Sequence, residues 1–169
     1  GIDDASTILP KLIMAIALLV EAPTVECLID VLIYSGELEK KPIAEHLSLI
    51  ESVLNRARNL TRTEQTPNEC EDRYYPLHES LRDHLKQSTK ISNTMKVIRK
   101  AIHALAGDPT RCMSRKTSCM AFTSGIRQLL ADKRPEEAKS LMIDFGYLFN
   151  RIKVLREEKD IDMQVAISN

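Results

Sequence analysis

A chain of 169 residues is the size of one domain with room for a hydrophobic core. Hydrophobic residues at 43% and charged residues at 28% are in the globular range, and 24 Lys and Arg balance 24 Asp and Glu, which excludes a uniformly basic or acidic chain. Five glycines are too few for the turns and phosphate loops of doubly wound or all-β folds, and with aromatics at 4% and no Trp the interior must be aliphatic.

At the amino end, Asp3, Asp4 and Ser6 offer helix caps and Pro10 suits a first turn, ahead of an apolar run reaching about Ala22. Its most apolar stretch, residues 12–20, is nine residues, about half of what a bilayer crossing needs. Gly1 is no natural initiator, so the chain reads as a processed product or a piece of something larger. Pro23 and Thr24 end this helix and cap a second, in which Val25, Leu28, Ile29, Leu32 and Ile33 recur at helical spacing until Gly36 closes it. A third opens at Pro42. There Ile43, Leu47, Ile50, Leu54 and Ala57 make one face, with Glu45 in the first turn and Arg56 and Arg58 in the last, as the helix dipole prefers.

From Thr61 to Pro76 the pattern becomes polar and turn-prone, which predicts a flexible connection over 61–76. A helix resumes near Leu77 and falters around 88–92. Asn93 caps the next, whose Met95, Ile98, Ile102 and Leu105 precede Gly107, Asp108 and Pro109. Thr117 or Ser118 then caps a helix with Cys119, Phe122, Ile126 and Leu129 on one face. The last helix should be the longest, opening at Pro135, Glu136 and Glu137. A single stripe of Ala138, Leu141, Phe145, Leu148, Ile152 and Leu155 is flanked by Met142, Ile143, Tyr147, Phe149 and Val154. So broad a stripe suits a helix packed on two sides. The expectation is an all-α fold of about six helices, a single-domain bundle or short stack of helix pairs over 1–160, with 161–169 as a tail.

Motifs for chemistry are thin. His46, His78, His84 and His103 lack the spacing of a helical zinc site, and no Cys-x-x-Cys frame occurs, so no metal or cofactor is expected. Asp144, Phe145 and Gly146 spell the kinase magnesium triplet without its companion loops. The carboxylate clusters are polar surface, which leaves no catalytic residue to name and no enzyme activity to expect.

Charge segregation is the stronger signal. Residues 86–134 hold eleven Lys and Arg against two acids, a net +9, whereas residues 1–50 hold three bases against eight acids, a net −5. Beyond Lys86 and Lys90, the basic face comprises Lys96, Arg99, Lys100, Arg111, Arg115, Lys116, Arg127, Lys133 and Arg134. Lys96 stands at i, i+3 and i, i+4 from Arg99 and Lys100, repulsions of about 0.2–0.5 kcal/mol each that an acidic neighbour or partner would offset. Acidic residues elsewhere in the fold would equally cover these cations.

The first reading is a non-enzymatic, intracellular protein-interaction module. It binds an acidic protein surface or peptide through this face, and a second chain or copy through apolar helix surface at Ile13, Ile16, Val20, Tyr147 and Val154. A second reading is a secreted helical ligand held by two disulfides among Cys27, Cys70, Cys112 and Cys119 and glycosylated at Asn59. A third is a nucleic-acid-binding domain, disfavoured because Phe122 is the segment's sole aromatic.

Overall fold

The structure, a computed structural model, describes residues 2–65, 71–87 and 92–168. Within them lie eight α-helices, one short 3-10 turn and a two-stranded antiparallel sheet. The chain therefore belongs to the all-α class. It divides into two compact units, Gly1–Ile102 and His103–Asn169, where the sequence reading placed one domain over 1–160.

The first unit contains α1 (Ile2–Leu18), α2 (Val25–Tyr34), α3 (Ile43–Arg56), β1 (Thr61–Gln65), β2 (Asp72–Pro76), α4 (Ser80–Gln87) and the first part of α5 (Ser92–Gly107). Helix α1 packs on α2, α3, α4 and β2, and from Leu12 to Leu18 every side chain is buried. Surrounded in this way, the apolar run serves as a central core helix. Met14 and Ala17 meet Leu85 of α4, with Leu81 and Met95 against them. Thr24 caps α2, its Oγ1 accepting from the Cys27 N–H at 3.3 Å. The predicted stop at Gly36 is observed: its φ of +82° places it in the left-handed region, and the Gly36 and Glu37 amides donate to the carbonyls of Ile33 and Leu32. On α3, Ile50, Leu54 and Ala57 of the predicted face are buried, together with His46, whose Nε2–H donates to the Glu39 carbonyl at 2.9 Å.

The expected flexible connection is, in its described parts, a hairpin. Thr61 pairs with Pro76 and Gln65 with Asp72; residues 66–70 lie outside the described residues. Two hydrogen bonds fix it to the connection between α1 and α2: the Tyr74 N–H donates to the Pro23 carbonyl at 2.9 Å, and Arg73 Nη1 donates to the Ala22 carbonyl at 3.1 Å. Polarity of the strands hid this: β1 is buried only at Thr61 and β2 is half-buried from Arg73 to Pro76, so the apolar-in, polar-out alternation that marks a sheet packed on one face is absent. The expected interruption over 88–92 falls largely on residues 88–91, outside the described residues.

The second unit contains the end of α5, a 3-10 turn over Pro109–Arg111, α6 (Arg115–Ala131), α7 (Pro135–Ile143) and α8 (Phe145–Ser168). Helix α6 is its centre and packs on the 3-10 turn, α7 and α8. Its cap is Ser114, three residues ahead of the predicted Thr117. Ala106, Leu129 and Ala138 form a small core with Ile126 and Leu141. Gly125 permits the close approach of α5, since a Cβ there would lie 3.1 Å from the Ala106 carbonyl oxygen. At the far end of α6 the chain turns on Lys133, whose φ is +59°. The Lys133 and Arg134 amides donate to the carbonyls of Leu130 and Leu129, the same terminator that Gly36 builds on α2.

A long final helix is present, α8 at 24 residues being the longest among the described residues, but the single helix expected from Pro135 is corrected. It is two helices that break at Asp144, whose ψ of 115° leaves the helical region. Asp144 Oδ1 accepts from the Tyr147 N–H at 2.7 Å and so caps α8. The break resets the helical phase. Tyr147 is buried, and Leu148, Arg151, Val154, Leu155 and Glu158 are half-buried at steps of one, three, three, one and three. Phe145 and Ile152, members of the expected inward stripe, are exposed. Residues 161–168, expected as a tail, continue α8.

Candidate functional site

The predicted basic face divides between the two units. On α5, Lys96 and Lys100 are exposed and Arg99 is half-buried, with its Nε buried and without a hydrogen-bond partner among the described residues. In the second unit several cations are held by nearby acids. Arg111 pairs with Asp108 at 3.2 Å, Arg134 pairs with Glu137, and Arg115 reaches Glu157 at 3.4 Å and Glu158 at 3.3 Å. Lys116, Arg127 and Lys133 are exposed. Lys90 lies outside the described residues, as does the side chain of Lys86. Part of the charge excess is thus met at short range within the second unit, the alternative left open by the sequence.

Among the predicted apolar interface positions, Ile13, Ile16 and Tyr147 are buried, and Val20 and Val154 are half-buried. This is a correction: Ile13 and Ile16 sit on the core helix α1, and the break at Asp144 turns Tyr147 inward, so these three present no open surface. Tyr147 stacks at 50° on Phe122, with ring centroids 5.4 Å apart, and burial raises its phenol pKa.

Contacts along α8 explain why its other side is left open. Arg115, at the start of α6, meets Glu157 and Glu158 midway along α8. Phe122, near the middle of α6, meets Tyr147 near the start of α8 and accepts on its carbonyl from Arg151 Nε at 3.1 Å. The two helices therefore run antiparallel, joined by the Tyr147–Arg151–Glu158 side. Opposite that side Phe145, Phe149 and Ile152 share a stripe at steps of four and three, and Met142 and Ile143 lie just before it at the end of α7. All five are exposed. The sequence places Phe145 and Ile152 on the inward stripe and Met142, Ile143 and Phe149 beside it, because a stripe drawn through Asp144 takes no account of the cap. The legible signal was Asp144 followed by Gly146, a capping residue and a poor helix former two positions apart.

A polar cluster closes the α6–α7 turn. His103 is buried; Arg134 Nη1 donates to its Nδ1 at 2.8 Å, so its Nε2–H donates to Asp132 Oδ2 at 2.6 Å, a tautomer assigned from the network. Gln128 Nε2 donates to the same oxygen at 2.9 Å. Both ring nitrogens are engaged, so the imidazole faces no ligand and works as a clamp on the turn.

No disulfide joins Cys27, Cys112 and Cys119 among the described residues, and Cys70 lies outside them. Burial, then the Glu158 carboxylate beside it, pushes the Cys119 thiol up to about 11. Asn59 is exposed. A shallow depression along Leu47, Glu51 and Asn55 is lined wholly by α3. Among the described residues no group of three or more His, Cys, Asp or Glu is placed to hold a metal ion, and no helix is long and apolar enough to cross a membrane. Comparison with protein-family models, with curated proteins and with solved structures returned no match to this chain.

Proposed function

We propose that this chain is a non-enzymatic helical protein-interaction module that engages another polypeptide through the apolar face at the α7–α8 joint. The observation that carries the reading is the exposure of Met142, Ile143, Phe145, Phe149 and Ile152 together. Scattered exposed apolar residues are ordinary, but five large ones within eleven consecutive positions, three of them on one stripe of α8, are a concentration that water does not favour and that protein interfaces use. The rigidity needed for such a face is supplied from behind by the Phe122–Tyr147 stack and the Arg115 and Arg151 contacts.

Lys96 and Lys100 support a separate contact with an acidic protein surface, because the exposed pair at i, i+4 has no acid within ion-pair distance among the described residues. Its contribution would lie in association rate and salt dependence more than in affinity.

The experiment is site-specific photocrosslinking in cells producing the chain, with a benzophenone residue at Phe149 or Ile152 and a control at the exposed Glu64. Protein adducts at both face positions, and none at Glu64, are expected. Absence of any protein adduct at 149 and 152 would refute the reading.

A further inference from the structure

We infer that the occupant of the α7–α8 face is a second copy of this chain, docked about a two-fold axis with the two α8 helices antiparallel. The inference rests on the docking reading above and assigns its partner.

Area makes the first argument. Met142 is 58% exposed, Ile143 78%, Phe145 82%, Phe149 59% and Ile152 63%. With about 200 Å² for a fully exposed large side chain, these five leave roughly 700 Å² open on one copy. That is above the roughly 300–600 Å² of the largest patch on a typical monomer. Two copies face to face would cover about 1,400 Å², within the roughly 1,200–2,000 Å² of stable specific interfaces. The composition fits as well, since Phe, Met and Ile form the centre, Asp144 stands at one end of it, Lys153 beside it, and Arg156 continues the α8 stripe one turn beyond Ile152, all three exposed.

Orientation follows from those edges. A two-fold axis sets one patch against itself, so each residue meets a position that the same rotation returns to it. Parallel α8 helices would set Lys153 and Arg156 against their own copies, a like-charge pairing that specific interfaces avoid. Antiparallel helices with Phe149 near the axis bring Phe145 of one copy over Ile152 of the other. The same rotation sets Arg156, midway along α8, opposite the partner's α7–α8 joint, where Asp144 is exposed. Arg156 forms no ion pair within its own chain among the described residues, and the Asp144 carboxylate keeps one oxygen beyond the capping bond.

Sedimentation velocity on the whole chain, from low to high micromolar, tests the inference. The wild type should move from 19.1 kDa toward twice that mass as concentration rises. Phe149→Asp, on the exposed side of α8 and so harmless to the core, should remain at 19.1 kDa with unchanged helical ellipticity. Arg156→Glu should weaken association by roughly tenfold, and added salt should weaken the wild type in the same direction. A wild type that stays monomeric throughout, or a Phe149→Asp variant that associates as the wild type does, would overturn the inference. Should the wild type be monomeric while the crosslinker at Phe149 captures a different polypeptide, the dimer fails and the docking reading stands.

Discussion

Replacing Tyr147 by Phe should stabilise the second unit or leave it unchanged, although the position is buried and makes a ring stack. The phenol oxygen is buried without a hydrogen-bond partner among the described residues, and an unsatisfied buried hydroxyl costs about 1–3 kcal/mol. Phe retains the ring against Phe122 and the backbone N–H that Asp144 accepts from, so only the unsatisfied group is removed. Because part of that cost returns through local relaxation, a gain of about 1 kcal/mol is expected. Tyr147→Ala, which removes the ring as well, should lose roughly 3 kcal/mol and shows that the assay senses the site. Native-state amide exchange at Phe122 and Leu129 reads the stability of this unit directly, and urea unfolding followed by far-ultraviolet ellipticity gives the whole chain. The pH dependence supplies an independent sign. Burial raises the folded-state phenol pKa above 10.0, so the folded form holds its proton after the unfolded form has lost it. Stability from this group is complete below about pH 10 and declines as pH rises through the folded value. The Phe variant lacks that decline, and its advantage over wild type should widen in alkali. A loss of 1 kcal/mol or more at neutral pH would refute the reasoning and place a hydrogen-bond partner on the hydroxyl.

Lys133→Gly should stabilise the α6–α7 turn by about 0.5–1 kcal/mol in the same exchange assay, since a side chain at φ +59° carries a penalty of about 1–2 kcal/mol that glycine avoids, less the greater freedom of unfolded glycine. Gly36 already closes α2 through the same pair of backbone bonds, and an unchanged or lower stability would argue against this turn. In a variant retaining only Cys119, thiolate absorbance should rise near pH 11 and not near 9.0, with alkylation at neutral pH roughly 100-fold slower than in the unfolded chain. Stability from this thiol should be complete below about pH 9 and lost as pH rises toward about 11. A thiol titrating near 9 would remove the burial assigned to it.

Much of the helical content was legible because helix formation leaves a local trace. The α3 face at Ile50, Leu54 and Ala57, the Thr24 cap and the Gly36 stop each follow from residues within one or two turns of one another. The all-α class follows from the same periodicity and the scarcity of glycine. Three features depended on partners distant in sequence. The β1–β2 pair forms where β2 has α1 and α2 to lie against, and its polar residues carry no sign of that support. Arg115 is held by Glu157 and Glu158 across 42 and 43 residues, so counting charge along the chain overstated the cations free to meet a partner. Which side of the last helix faces water was decided at Asp144. A stripe drawn through it assumes unbroken helical rotation, and one capping bond to Tyr147 turns the aromatic and aliphatic residues that look like core out into solvent. Composition and periodicity determined that this protein is helical; packing against α6 decided which of its apolar residues remain available to another molecule.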